Sequence, residues 1–316
     1  MPDSVTPAGR DRPGPAHRFG SSGEVRAALR RVRYLADEHI ASAVYLADRL
    51  GKPVLVEGPA GTGKTQLAKS VAELAGARLI RLQCYEGLDE SKALYEWNYR
   101  KQLLRVQAQR ILDEEPGPAA AGWSELESDI FGEEFLLARP LLQAIRAAEP
   151  VVLLVDEVDR TDIGTEALLL ELLSDYQVSI PELGTITATQ IPLVFLTSNG
   201  TRELSEALKR RCLYLWLDYP DLEHELEIVR LHTPELDEQV ARRLVEVVHQ
   251  VRELDLKKPP SIAESIDWAR ALLLLGASDI DETTFKETMS VIVKHRTDLD
   301  IVAERVGVKL EQASAV

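Results

Sequence analysis

The chain predicts an α/β fold: a three-layer αβα core built on a parallel sheet, followed by a smaller all-helical domain. Three observations lead there. Short apolar runs at 53–57, 151–155 and 191–196 read as strands buried on both faces. The first run passes through a glycine-rich loop directly into a helical pattern, the order of a crossover unit in a parallel sheet. From about Asp221 onward only helical periodicity recurs, at Leu236 to Val251, Ile262 to Leu275 and Thr283 to His295. A length of 316 residues exceeds what one core usually fills, so a larger unit at 21–220 and a smaller one at 221–298 are expected.

Residues 1–20 hold four prolines and three glycines without apolar periodicity and read as a loose, disordered tail. Ser21-Ser22-Gly23-Glu24 has capping-box spacing, and Val25, Leu29, Val32 and Leu35 follow at helical intervals. A second amphipathic stretch, Ile40 to Leu50, stops at Gly51, a residue that accepts the left-handed conformation of a helix end. After the strand Pro53-Val54-Leu55-Val56-Glu57 and its loop, Leu67, Val71 and Leu74 fall on one helix face before Gly76. Residues 299–316 read as a tail or a weak extension of the last helix.

The loop itself, Gly58-Pro59-Ala60-Gly61-Thr62-Gly63-Lys64-Thr65, has the spacing of a phosphate-binding P-loop in the strand-to-helix context that motif requires. Its glycines let successive N–H groups turn toward phosphate oxygens, and the helix N-terminus adds partial positive charge. Lys64 contributes a full charge, and Thr65 a hydroxyl suited to Mg²⁺. The run Val151-Val152-Leu153-Leu154-Val155 ends in Asp156-Glu157, the Walker B pattern. Asp156 is the expected partner of the metal. Glu157, on the other side of an extended backbone, is the expected group for orienting or deprotonating water. Acidic residues after a strand also cap helices, and Asp159 or Asp162 is placed for that.

The third run leads into Thr197-Ser198-Asn199-Gly200, bringing the Asn199 amide to the same sheet edge, where it could hold a water or a terminal phosphate. Asn-Gly is equally a common turn pair. Beyond it a short helix ends in Lys209-Arg210-Arg211, roughly nine residues or about 13 Å further along. That distance points Arg210 and Arg211 at the nucleotide of an adjacent subunit, as arginine fingers. The alternative is that they complement the dipole of their own helix.

Composition narrows the classes. Lysine and arginine total 37 against 52 aspartates and glutamates, a net charge of −15, which disfavours a nucleic-acid partner. The two cysteines, Cys84 and Cys212, match no disulfide framework or zinc site and suit a reducing cytoplasm. No apolar run approaches the roughly 20 residues of a membrane span. Histidines 224, 232, 249 and 295 lack ligand spacing, so no metal beyond magnesium is implied.

These four elements, in this order, resemble an AAA+ ATPase of the MoxR group over roughly Glu24 to Ala277. The stretches Ile80 to Asp89, Ala93 to Tyr99, Asp156 to Arg160 and Lys209 to Tyr214 resemble the branch found beside carbon-monoxide dehydrogenase genes. The resemblance implies hexameric rings and hydrolysis of Mg-ATP between subunits. It also implies a chaperone-like role in maturing a molybdenum hydroxylase, alongside a von Willebrand factor A-domain partner. A nucleotide-dependent scaffold or switch without coupled remodelling is the alternative. In one respect the chain departs from the group: where relatives carry an arginine early in a lid helix, this chain has Ser261-Ile262-Ala263-Glu264-Ser265, and Arg270 lies two turns later. Two features carry no assigned role. Tyr85, Tyr95, Trp97 and Tyr99 crowd one stretch at half-buried strand spacing, and Gln177 to Gln190 reads as a hairpin with its turn at Glu182-Leu183-Gly184.

Overall fold

The structure, a computed structural model, describes residues 17–112 and 130–306. Of the expected tail at 1–20, residues 1–16 lie outside the described residues, as do 307–316. Helix α1, Ser22–Arg31, is capped by Ser21, whose Oγ accepts the Glu24 N–H at 3.1 Å. The return half of the expected box is displaced: the Glu24 carboxylate accepts from the Gly20 N–H instead, at 2.9 Å. Arg33 takes a left-handed φ of 59°, which ends the helical path before Leu35. Helix α2, Glu38–Leu50, is capped by Asp37 and closed by left-handed Gly51.

Strand β1, Val54–Glu57, runs through the glycine-rich loop into α3, Lys64–Leu74, and β2, Arg78–Gln83, follows. Then comes an insertion: α4, Glu90–Ala93; β3, Tyr95–Trp97; α5, Tyr99–Leu112; β4, Leu136–Ala138, antiparallel to β3; and α6, Pro140–Arg146. Strand β5, Val151–Asp156, leads by a short 3₁₀ turn to α7, Ile163–Asp175. The hairpin β6, Gln177–Ile180, and β7, Gly184–Thr187, precedes β8, Leu193–Ser198. Helix α8, Glu206–Arg211, and strand β9, Leu213–Trp216, complete the α/β part.

Five strands form one parallel sheet in the order β2-β5-β8-β1-β9. Of the three interior strands, β5 and β8 are buried along their whole length and β1 along all but its last residue, as the apolar runs require. Alternate side chains serve opposite faces: Val152 and Leu154 join Val54, Val56 and Phe195 under α1, α2 and α3. Leu153 and Val155 join Leu55, Ile80 and Leu196 under α6 and α7. A three-layer αβα core results. Strands β2 and β9, which the apolar runs do not reveal, are its edges. An edge strand is covered less completely: in β2 polar residues interrupt the apolar ones and the continuous run disappears, whereas β9 keeps an apolar run, Leu213 to Trp216, with Tyr214 and Trp216 exposed. Strand β8 begins at Leu193 rather than Ile191 because Pro192 has no N–H for the ladder.

The hairpin β6–β7 packs inward, with Val178 and Ile180 buried in the core cluster beside α7. Within the aromatic stretch, Trp97 is buried against Phe131 at 5.2 Å between ring centroids, while Tyr85 and Tyr99 are exposed.

After Asp221 the chain is helical: α9, Leu222–His232; α10, Glu238–Arg252; α11, Ile262–Leu275; α12, Glu282–Thr288; and α13, Arg296–Arg305. These helices enclose a third apolar cluster centred on fully buried Trp268, whose Nε1 donates to Thr288 Oγ1 at 2.8 Å. The single helix expected over Thr283 to His295 is broken: α12 ends at Thr288, and a 3₁₀ turn lowers Ile292 and Val293 into this cluster. Helix α13 then crosses the expected boundary between 298 and 299, because Val302 and Val306 are needed to close the same cluster. No described helix is long and apolar enough to cross a membrane.

Candidate active site

At the carboxyl edge of the parallel sheet, the loops after β1, β5 and β8 converge on a cleft of about 820 Å³. Such an edge is where open α/β sheets take their ligands. The loop from Ala60 to Thr65 forms its floor, with Asp156, Glu157, Thr197 and Asn199 on one wall. The opposite wall comes from Tyr34, Leu35 and Asp37 before α2 and from Ile262, Ile266, Asp267 and Arg270 of α11.

Two loop glycines are demanded by their neighbours. At Gly58, with φ 153°, a Cβ would lie 1.9 Å from the Leu217 carbonyl oxygen; at Gly61, with φ 83°, it would lie 2.2 Å from Ser261 Cβ. The first obstacle is backbone that β9 holds in place, so Gly58→Ala must push the loop away from Leu217. We expect a cost of about 1–3 kcal/mol and a loop drawn out of register. A thermal melt several degrees lower, together with weakened nucleotide binding, would show it.

Lys64 is 6% exposed, and its ammonium donates to the carbonyls of Gly58 and Pro59, each at 2.7 Å. Burial lowers its pKa, against the raising effect of Asp159, Asp156, Glu157 and Glu57. Two of three N–H donors are thereby used, leaving one for a ligand. A buried cation with a spare donor, at a helix N-terminus and above a loop too tight for side chains, fits the phosphates of a nucleotide.

Asp156 ends β5 and is 3% exposed. Its Oδ1 accepts from Thr65 Oγ1 at 3.0 Å and from Thr197 Oγ1 at 2.6 Å. Hydroxyl and carboxylate oxygens so placed are the hard donors Mg²⁺ prefers, and the Thr65 oxygen keeps a lone pair for it. The pairing of Thr65 with Asp156 is therefore consistent with a magnesium site.

Glu157 departs from expectation. Its backbone is left-handed, φ 57° and ψ 49°, rather than extended, because the strand stops at Asp156 and the chain turns into a 3₁₀ segment. Its N–H donates to Thr197 Oγ1 at 2.9 Å. Its carboxylate lies on the cleft wall, accepts from Gln83 Nε2 at 3.2 Å and pairs with Arg160 at 3.1 Å. Of the two acids offered as helix caps, Asp162 caps α7 by accepting the Thr165 N–H at 2.9 Å. Asp159 does something else. Its Oδ2 accepts the N–H groups of Asn199 and Thr201, at 3.2 and 3.0 Å, fixing the turn that presents Asn199. Burial would raise its pKa, but the hydrogen bond from the Thr201 hydroxyl, at 2.6 Å, together with these N–H groups outweighs burial and lowers it.

Arg210 and Arg211 do not line the cleft. Only six residues ending in Arg211 are helical, so the reach along a helix is shorter than nine residues implied. Arg211 donates to Ser174 Oγ at 2.6 Å and to the Ala207 carbonyl at 3.2 Å, whereas Arg210 is exposed without a partner among the described residues.

Several residues escaped sequence reasoning. The Tyr219 hydroxyl donates to the Ala60 carbonyl at 2.9 Å, and its ring lies 4.5 Å beneath the Arg252 guanidinium. In place of an early lid arginine, the first N–H of α11, at Ile262, donates to the Gly61 carbonyl at 3.2 Å, and Arg270 stands further along the cleft wall. Arg81 of β2 grips Asp156. These contacts join segments far apart in the chain, and no local spacing signals them.

Residues 54–215, a little over half of the chain, match the ATPase family associated with various cellular activities (AAA). The chain belongs to this AAA family. Among curated relatives it is 28% identical to the gas vesicle ATPase GvpN of Haloferax mediterranei over 65% of this chain. The match spans 57% of that relative's length, and the GvpN1 protein of Halobacterium salinarum matches over the same shares at 26% identity. An uncharacterised protein of Staphylococcus aureus is 24% identical over 71% of this chain and 76% of its own. Among solved structures, the RuvB Holliday junction branch migration motor of Thermotoga maritima aligns at 18% identity with a TM-score of 0.45, covering 80% of this AAA chain and 66% of RuvB.

Proposed function

We propose that this AAA protein hydrolyses Mg-ATP in a homo-oligomeric, hexameric ring and uses the cycle to remodel a protein client in the cytoplasm. The supporting observation is the convergence of Lys64, Thr65, Asp156, Glu157 and Asn199 on one cleft at the sheet edge. In this reading the loop N–H groups and Lys64 bind and orient the phosphates. Thr65 and Asp156 hold the metal, which when bound neutralises charge on the phosphate oxygens. Glu157 accepts the proton of the attacking water, and Asn199, fixed by Asp159, positions that water or the terminal phosphate.

We divide the chain on the same reading into an ATPase core at 21–220 and a helical lid from 221. The lid touches the loop through Ile262 and Ser261, and Tyr219 joins the connection to Ala60. Nucleotide in the cleft would bear on both units. For the client, the MoxR resemblance favours a molybdenum hydroxylase, with a von Willebrand factor A-domain protein as companion.

Arg210 and Arg211 are assigned to the neighbouring subunit's nucleotide, since they leave their own cleft while standing exposed at the end of α8. Arg211→Ala is expected to lower steady-state ATPase activity by about 10³-fold. Mixing it with Lys64→Ala subunits, which keep the arginine but not the nucleotide, should restore part of that activity. No restoration on mixing would contradict a shared site.

A further inference from the structure

Asp156 is saturated by this chain's own donors. Its Oδ1 takes the two hydroxyls of Thr65 and Thr197, and its Oδ2 takes Arg81 Nε at 3.0 Å and Nη2 at 2.5 Å. A carboxylate offers about four acceptor sites, and four donors fill them. The donation from Thr65 is compatible with a metal on the same hydroxyl oxygen, because a hydroxyl donates through hydrogen and coordinates through a lone pair. Oδ2 is then the atom the metal shell needs, and Oδ2 is the atom Arg81 holds.

Arg81 is built to leave. It sits on β2, the edge of the sheet, with its side chain 47% exposed, whereas Asp156 is buried. Besides Asp156, it touches Gln83 Oε1 on its own strand. Its guanidinium can therefore exchange the carboxylate for water without opening the core, and an entering metal ion takes over its charge at Asp156. Until it does, it adds to the positive charge that Lys64 brings near this buried carboxylate.

Resting on the Mg-ATP reading above, we propose that Arg81 is a resident counter-cation that competes with Mg²⁺ for Asp156. It thereby sets the Mg²⁺ concentration at which the nucleotide is loaded with its metal. The consequence is a gain of function, which misfolding cannot imitate: deleting the arginine charge makes Mg²⁺ bind more tightly. Arg81 does not line the cleft and its loss unmasks the Asp156 charge, so binding of ATP without metal does not become tighter.

The test is a Mg²⁺ titration of the full chain with a fluorescent ATP analogue, read by nucleotide fluorescence, with Mn²⁺ binding followed by electron paramagnetic resonance. Arg81→Met keeps the length of the apolar stem and removes the charge; Arg81→Lys keeps a charge without the two-pronged grip. The half-saturating Mg²⁺ concentration should fall by about threefold to tenfold in Arg81→Met, with Arg81→Lys between it and the parent. Metal-free affinity for the analogue should be no higher than the parent's, so that the gain appears only with metal. An unchanged or raised Mg²⁺ requirement in Arg81→Met, with the parent binding ATP normally, would overturn the proposal and leave the functional reading standing. Failure of the parent to bind the analogue at all would overturn both.

Discussion

Lys64→Ala is expected to abolish measurable ATP binding while leaving the nucleotide-free protein as stable as its parent, or more so. The ammonium is nearly buried, and its protein partners are two carbonyls of its own loop. Burial holds its pKa below the ordinary lysine value. The folded state thus binds this proton less tightly than the unfolded chain does. The charged lysine opposes folding in full below its depressed pKa; that opposition declines as the pH rises past this value and is gone above the unfolded chain's pKa. Removing the side chain relieves the cost and deletes the full charge facing the phosphates. Charge-assisted hydrogen bonds to phosphate are worth about 1.5–3 kcal/mol each, so the lost bond alone lowers affinity about tenfold to a hundredfold, and loss of the full charge facing the phosphates takes binding below detection. Thermal melts with and without ATP separate the two effects: the parent gains stability from ATP, and the variant gains none. A variant that melts far below the parent without nucleotide would show instead that Lys64 is a structural residue.

Glu157→Gln is expected to part binding from turnover. The substitution keeps the shape of a side chain on the cleft wall and leaves the contacts of Asp156 with Thr65 and Thr197 untouched. It removes the acceptor for a water proton, a contribution of about 10² to 10⁴ in rate. ATP affinity should stay within a few-fold of the parent, while single-turnover hydrolysis falls by at least about a hundredfold. The neighbouring Gln83 and Arg160 hold the same carboxylate, so the amide also loses its charge-assisted partner at Arg160. Retained hydrolysis at the parental rate would assign the proton to another group and favour the view of Glu157 as an ion-pair partner of Arg160.

The parts of this site that are local in sequence were legible, and those that depend on the sheet were not. Gly58 to Thr65 could be read because the strand, the loop and the helix are contiguous and each imposes its own residue types. Asp156, Glu157 and Asn199 could be placed because both runs before them belong to the fully buried middle of the sheet, where apolar character is continuous. The edge strand β2 hides its character behind interspersed polar residues, and Arg81 and Gln83 stayed hidden with it; β9 is a short apolar run, Leu213 to Trp216, that sequence reasoning passed over.

The turn of Glu157 into a left-handed conformation was invisible for another reason. A non-glycine residue adopts it only when its surroundings hold it, and here the hold is the Thr197 hydroxyl 40 positions away. In the helical part, periodicity located α10 and α11 but ran across the break before α13. That break exists to bury Ile292 and Val293, a tertiary demand that no local pattern encodes. Arg210 and Arg211 stand outside the cleft of their own chain, at the end of a helix of six residues rather than nine.

The most direct test of the central claim, that main chain and lysine of one loop bind nucleotide phosphates beside a metal-holding carboxylate, is calorimetric titration of ATP into the folded chain with Mg²⁺. The predicted result is saturable binding of one nucleotide per site-competent chain, lost in Lys64→Ala and weakened when Mg²⁺ is withdrawn. Absence of heat from a well-folded sample up to about 1 mM ATP would contradict it.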